Sequence, residues 1–404
     1  MSSTAMATKW TGPFSGLEPV HRSAELYTSP EIFELERQKV FSKVWLNIGR
    51  ECEIPEPGNF IVRHLEVCKA VLLIVRGLDR KVRAFHNVCS HRCNFVEPRS
   101  NGRAKGFRCK YHGWAYGLRG ELVSIPDEAG YGNVDKARLG LTEVPCDSWQ
   151  GFIFVNMDQK PPSSLQEFLG DWGRSMEGYP FQMATERSTT SAEIGCNWKV
   201  VLDAFQESFH FAFIHSRTAG PMFTSLDEPY TKVYDVRLYD SHRSISSPEM
   251  NPNYRPSSID MALLQFAGRP GGHEMAAEVA RHGATGVNPR RAAGWVTDMN
   301  CVFPNTNIQV FSNHILHYQF WPLAVNRTRV EIHSYDPPAT TNAQRVTCEF
   351  HLCFLRDVFL EDFSTLERTQ QGLESGAKKE LGPLHEKEVL IRHSHKVLNE
   401  YLRR

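Results

Sequence analysis

The chain has 404 residues, enough for two domains with substantial cores at roughly 100 to 200 residues each. Its 46 Lys and Arg balance 46 Asp and Glu, so no global field points to nucleic acid or an anionic membrane. No stretch of 18 apolar residues occurs and MSSTAMATKWTGPFSG carries no continuous apolar run, so a cytoplasmic protein without membrane contact is expected.

Ten cysteines are present, at 52, 68, 89, 93, 109, 146, 196, 301, 348 and 353. Only Cys89 and Cys109 sit in ligand-like spacing, which suits reduced thiols in a reducing compartment. Residues 1–22 read as an arm without steady periodicity. Ser29-Pro30-Glu31 then offers a cap, a proline at the first helical position and an acidic first turn, and Ile32, Phe33, Leu35, Val40, Phe41, Val44 and Trp45 extend a roughly helical stripe. From Ile54 the texture becomes short strands separated by turn residues, at 60–64, 70–75 and 82–86, with Gly151 to Val155 as a closing strand. A small antiparallel β domain is expected over 46–158, preceded at 1–45 by an arm and a helix that packs on the following domain.

Within it stand Cys89-Ser90-His91, seventeen further residues, and Cys109-Lys110-Tyr111-His112. Two thiolates and two imidazoles suit either a tetrahedral zinc or a Rieske [2Fe-2S] cluster. Each loop supplies one Cys and one His, whereas zinc fingers usually draw the two Cys from one loop and the two His from another. Mixed loops fit a cluster with both Cys on one iron and both His on the other.

A linker at 160–164 leads to a larger domain, 159–404. Residues 165–179 carry a weak helical pattern, 189–194 read as a strand, and 249–291, rich in Pro, Gly and Arg, read as long loops. Strands follow at 307–311, 314–320 and 329–333, then one long helix over 341–375. Helices on an antiparallel sheet make the fold class α+β. In Asn197 to His215, His210 and His215 are an i, i+5 pair, about 140° apart on an ideal helix. They reach one metal only if the helix widens into a π-bulge or ends before His215.

At this point the chain resembles the Rieske non-haem iron oxygenases, the alpha (large) subunits of aromatic-ring-hydroxylating oxygenases. The resemblance covers about 25–375 and rests on Gly113-Trp114, Tyr116 and Gly120 after the second ligand loop, on Asn197-Trp198-Lys199 with Glu207-x2-His210-x4-His215, and on Glu361-Asp362-x4-Glu367-x2-Gln370. It implies a [2Fe-2S] cluster on Cys89, His91, Cys109 and His112, and a mononuclear Fe(2+) on His210, His215 and Asp362, a facial triad with open positions for O2 and substrate. Glu361 and Asp357 are the competing carboxylates; the family pattern favours Asp362.

The resemblance further implies that Glu207 joins His210 to the cluster-ligating His112 of a neighbouring subunit, although many members have Asp there. Asp203, where many members have Asn, either holds iron-bound water or caps a polar network. Cys93 departs from a usual small residue and reads as a packed free thiol. No Gly-rich dinucleotide fingerprint is present, so electrons are expected from a separate NAD(P)H-dependent reductase, directly or through a ferredoxin. The expected assembly is a homotrimer, or alpha3beta3 with a small subunit. The expected reaction is dioxygenase or monooxygenase chemistry on a small organic, aromatic substrate, as in the catabolism of aromatic hydrocarbons. Phe205, Phe209, Phe211, Phe213, Met222, Phe223, Phe303, Phe311 and Phe320 are candidates for an apolar pocket, and Arg217 for a carboxylate anchor or a surface ion pair. The competing readings are a Rieske electron carrier with a non-catalytic second domain and a zinc-binding interaction module.

Overall fold

The structure is a computed structural model that describes residues 14, 16–17, 21–225, 230–231, 233–247, 250–266 and 268–404. The arm expected at 1–22 lies largely outside the described residues. The chain divides into two compact units, residues 34–168 and residues 1–33 with 169–404. The divisions fall after Phe33 and Phe168, where the sequence had suggested 45 and 158.

The helix expected to run from Ser29 to Trp45 is shorter. An α-helix spans Pro30–Glu36 and a π-helical turn Arg37–Phe41, after which Trp45–Arg50 is a strand. All six residues of that strand are buried, Asn47 and Arg50 included, so no alternation of apolar and polar residues betrays it.

The smaller unit is antiparallel throughout. One sheet orders Glu143–Val144, Val82–His86, Ala70–Arg76, Asn59–Leu65 and Asn101–Arg103; two three-stranded sheets complete it. Both ligand loops connect strands. The first leaves Val82–His86, and the second joins Phe107–Arg108 to Ala115–Tyr116. Gly120, with φ +82, lies against the buried ring of Phe85, where an added Cβ would meet a ring carbon at 2.5 Å. Gly120→Ala combines a left-handed backbone with overpacking, and a loss of about 2 to 4 kcal/mol is expected, read as a lower midpoint for thermal loss of cluster absorbance.

The larger unit, helices on an antiparallel sheet, completes an α+β fold. Its seven strands are β1 (Glu186–Ile194), β2 (Asp235–Leu238), β3 (Arg243–Ser247), β4 (Thr297–Val302), β5 (Thr306–Phe311), β6 (Ile315–Ala324) and β7 (Arg327–Asp336). Their order is β1-β7-β6-β5-β4-β3-β2, a meander closed by β1 on β7. Register aligns Ile245, Met299, Gln309 and Leu316 in one row across four strands, with Thr297 opposite Phe311 beside it. These side chains floor a cavity.

Three helices roof that floor. They are α1 (Trp198–Ala204), the short α2 (Phe211–Ile214) and the long α3 (Asn342–Glu374). The Asn197 side chain accepts from the Lys199 N–H at 3.0 Å and so caps α1, while Gln370 on α3 accepts from the Asn197 N–H at 3.0 Å. The stretch 249–291, expected as long loops, contains helices Ser258–Phe266 and Gly272–His282; flanking Pro and Gly hid their short periodicity. Residues 249 and 267 lie outside the described residues.

Candidate functional site

The two loops of the smaller unit are built alike. Cys93 donates its N–H to the Cys89 carbonyl at 2.9 Å, and Gly113 to that of Cys109 at 2.9 Å; both donors have positive φ, +57 and +77. Cys93 thus stands in the backbone position that glycine fills in the second loop, which is the physical content of its departure from a small residue. Its side chain is exposed, so the expectation of a packed thiol is corrected.

Cys89 and Cys109 are buried, and the Tyr116 hydroxyl lies 3.3 Å from the Cys89 sulfur. Burial works against a Cys109 thiolate, but hydrogen bonds from the Tyr111 backbone, Asn94, Cys89 and the His112 backbone outweigh it and hold this thiol below its ordinary value. Burial first, and Cys89 second, push the Tyr116 phenol up to about 12, so it stays a donor. The two imidazoles meet separately. The His91 and His112 rings are 4.5 Å apart, and His91 stacks on Trp114 at 5.0 Å. His91 Nδ1 is buried with no hydrogen-bond partner among the described residues. Paired thiols, paired imidazoles and an orphaned ring nitrogen fit a Cys2His2 [2Fe-2S] cluster.

In the larger unit the i, i+5 histidine problem is solved by breaking the helix. The chain leaves α1 at Ala204, and His210 and His215 become the N-cap and C-cap of α2. Asp203, on α1, and Glu207, beyond its end, therefore do not share one helix face. His210, His215 and Asp362 each offer one ligand atom, all within 4.8 Å of one another. His210 Nε2 and His215 Nε2 lie 3.6 and 3.2 Å from Asp362 Oδ1.

Each histidine is held from behind by its own carboxylate. His210 Nδ1 meets Glu207 Oε1 at 2.5 Å, and His215 Nδ1 meets Glu361 Oε2 at 3.0 Å. Both rings therefore turn Nε2 toward Asp362, the arrangement by which second carboxylates orient metal-bound imidazoles. Burial disfavours a charged His215, but Asp362 and Glu361 outweigh it and raise its pKa. Glu361, a competitor for the third-ligand role, is committed to His215 and the Thr218 hydroxyl. Asp357 is exposed and pairs with Arg356 at 2.8 Å. Glu361→Leu leaves Asp362 in place but frees the His215 ring, so about 10- to 100-fold weaker iron binding is expected on titration of metal-depleted protein.

Asp203 sits in a polar network. It accepts from the Tyr27 hydroxyl at 2.7 Å, contacts His395 Nε2 at 3.1 Å and lies 3.9 Å from Arg22. It does not line the cavity, and these contacts are those of the polar network, one of its two expected roles. Burial, followed by the Asp203 charge, raises the Tyr27 phenol well above its usual value.

The cavity adjoining the triad holds about 250 Å³. Of the expected pocket residues, Phe205, Phe211, Met222, Phe223 and Phe311 line it. Phe209 instead stacks on Tyr230, Phe213 is exposed, Phe303 stacks on Tyr401 and Phe320 is core. Arg217 is exposed and outside the lining, so it is no anchor there. Sequence reading missed His351, Phe354, Leu355, Val358 and Phe359 on α3. Their spacing with Asp362 (351, 354, 355, 358, 359, 362) is a single helical face and was the available signal.

Residues 44–143 match the Rieske [2Fe-2S] domain, and 181–404 the ring hydroxylating alpha subunit (catalytic domain). A cluster domain followed by a catalytic iron domain is the class that fold and site define. The chain belongs to the Rieske non-haem iron oxygenase alpha-subunit family. It is 33% identical over 352 residues to the large oxygenase component of the naphthalene 1,2-dioxygenase system of Pseudomonas fluorescens, covering 78% of this chain and 70% of that protein. It is 34% identical over 184 residues to the glycine betaine monooxygenase oxygenase subunit of Pseudomonas aeruginosa (strain UCBPP-PA14), covering 46% of this chain but only 42% of that protein. Several curated relatives are spanned over about half their length, as with 2-aminobenzenesulfonate 2,3-dioxygenase subunit alpha of Alcaligenes sp. at 49%. Naphthalene 1,2-dioxygenase from Rhodococcus sp. shares the fold at a TM-score of 0.77 and 21% identity, over 95% of this chain and 94% of that one. A quaternary ammonium Rieske monooxygenase does so at 0.75 and 20%, over 96% of each. The family's cofactors are a Rieske [2Fe-2S] cluster and a mononuclear iron, and the His210, His215, Asp362 group fits the latter. No helix of the described residues is long and apolar enough to cross a membrane.

Proposed function

We propose that this chain is the terminal oxygenase component that hydroxylates a ring-bearing organic substrate with O2, by ring dihydroxylation or monooxygenation. The carrying observation is the convergence of His210, His215 and Asp362 beside an apolar cavity. Cys89, His91, Cys109 and His112 hold the cluster, and His210, His215 and Asp362 the ferrous ion. Together these groups supply reductive activation of O2 when bound.

The chain's own residues do the rest. Glu207 and Glu361 fix the two imidazoles, and Asp362 closes the third side of a facial triad. Phe205, Phe211, Phe359 and Leu355 offer ring-sized apolar contact and keep bulk water from the reacting carbon. No Lys or Arg occurs among the described residues lining the cavity, which favours an apolar body over a carboxylate beside the iron. Electrons come from a separate NAD(P)H-dependent reductase, directly or through a ferredoxin. The assembly is a trimer of this chain, alone or with a small subunit, in which Glu207 meets His112 of the partner subunit. The electron-carrier reading leaves the triad and both of its supporting carboxylates without purpose.

Metal analysis tests the proposal. Three irons and two labile sulfides per chain are expected in freshly reconstituted protein, with O2-dependent hydroxylation of naphthalene or a similar arene once a reductase is supplied. Two irons with no hydroxylated product from any arene would leave only a carrier.

A further inference from the structure

The face of α3 that lines the cavity begins at His351 and ends at Asp362, eleven residues apart, or about 16 Å along the helix axis. Between them Phe354, Leu355, Val358 and Phe359 present apolar surface. The cavity thus has an iron-ligand end and a remote end, and His351 brings a polar group to the remote end.

His351 Nε2 is buried with no hydrogen-bond partner among the described residues, and so are His314 Nε2 and Arg269 Nη2 behind it. These side chains form one group. The His314 and His351 rings meet edge to face at 5.3 Å, His314 stacks on Phe311 at 4.0 Å, and an Arg269 Nη1 contact reaches His314 Nδ1. The carboxylate in this group, Asp336, lies 3.2 Å from Arg269 Nε and accepts from Ser334, leaving Nη2 unmet. Burial first, and Arg269 second, hold both histidines well below their usual pKa, so they are neutral and hydrogen-bonding rather than charged.

Other polar groups in the lining are engaged. Tyr318 donates to Gln309 at 2.6 Å, Thr297 to the Val310 carbonyl at 2.8 Å, and Ser208 contacts Thr231. Gln206 Nε2 is also unpartnered, but it adjoins Glu207 at the iron-ligand end. A buried polar nitrogen without a partner costs about 1 to 3 kcal/mol; Arg269 Nη2 is a donor, and each histidine Nε2 is one in the tautomer that carries its proton there. Of these three side chains only His351 lines the cavity, so an oxygen acceptor entering the remote end meets the His351 ring alone.

We infer that His351, backed by His314 and Arg269, is a specificity-determining residue that receives a hydrogen-bond-accepting oxygen on the substrate, at the end remote from the carbon being oxidised. The substrate class is then an apolar ring system with a hydroxyl, carbonyl or carboxylate oxygen at its far end. This rests on the oxygenase reading for which end is oxidised. The binding itself does not need turnover.

The test is anaerobic titration calorimetry of the fully metallated protein with naphthalene, 2-naphthol and 2-naphthoate, without reductant. Wild type is expected to bind one or both oxygen-bearing probes about tenfold or more tightly than naphthalene; gain for naphthoate alone assigns an anionic acceptor, and gain for both assigns any oxygen. His351→Phe should erase the preference while naphthalene affinity stays within about twofold, and His351→Gln, which keeps a side-chain N–H, should recover most of it. Equal affinity of wild type for all three, as when a buried water already satisfies the group, overturns the inference. So does equal loss for all three in His351→Phe, or no binding of any probe. Failure of the oxygenase reading shows separately, as absence of hydroxylated product from probes that do bind.

Discussion

Asp362→Ala is expected to lose one iron per chain and all measurable substrate oxidation while the protein stays red-brown. The carboxylate oxygen lies 3.2 and 3.6 Å from the two histidine Nε2 atoms, and among the described residues Asp362 is the acid that groups with both. Glu361 is tied to His215 and Thr218, and Asp357 faces solvent with Arg356. Two imidazoles alone hold a hard ferrous ion weakly, so the expected fall in iron affinity exceeds about 100-fold, beyond the usual effect of losing an outer-sphere partner. Iron analysis, visible absorbance and product formation on the same sample check it. Normal turnover by a variant that keeps its full iron content would place the third ligand elsewhere. The cluster should not respond, because its four ligands belong to the other compact unit.

Glu207→Gln should keep the cluster yet slow its reoxidation in the presence of substrate and O2 by about 100-fold. Both oxygens of Glu207 are in use. Oε1 meets His210 Nδ1, and Oε2 accepts the backbone N–H groups of Phe209 and, at 3.2 Å, His210. An amide has one acceptor oxygen, so the variant must abandon either the imidazole or the backbone turn, leaving a donor unmet at about 1 to 3 kcal/mol. It also gives up the charge through which, in the proposed trimer, Glu207 connects His210 with His112 of the partner subunit. Rapid-mixing absorbance follows the cluster, and iron content is measured alongside. A fully metallated Glu207→Gln that reoxidises at the wild-type rate removes the bridging role. One that loses iron in proportion to its rate confines Glu207 to holding His210.

Much of this centre was legible in the chain because its chemistry is written in short spacings. Cys89 to His91 and Cys109 to His112 are local loops, each closed by its own backbone hydrogen bonds, although Tyr116 and Gly140 also hold Ser90 in the first. The helix boundaries 341–375 were close to the observed Asn342–Glu374 for the same reason, since 3.6-residue periodicity is a local property. The start of strand Trp45–Arg50 was missed, with Trp45 read into the preceding helix, because burial on both faces erases the two-residue alternation that marks a strand.

Tertiary structure alone decided which partner each polar side chain took. Nothing in the spacing of Glu361 and Asp362 shows that one backs His215 and the other faces both histidines; about 150 residues separate them from α2, and the docking of α3 makes that choice. The same holds for Asp203, whose partners Tyr27 and His395 come from opposite ends of the sequence. His351 is the clearest case. Sequence places it on a helix, but only the packing of α3 over the sheet sets it in the cavity lining beside His314, with a buried nitrogen still lacking a partner.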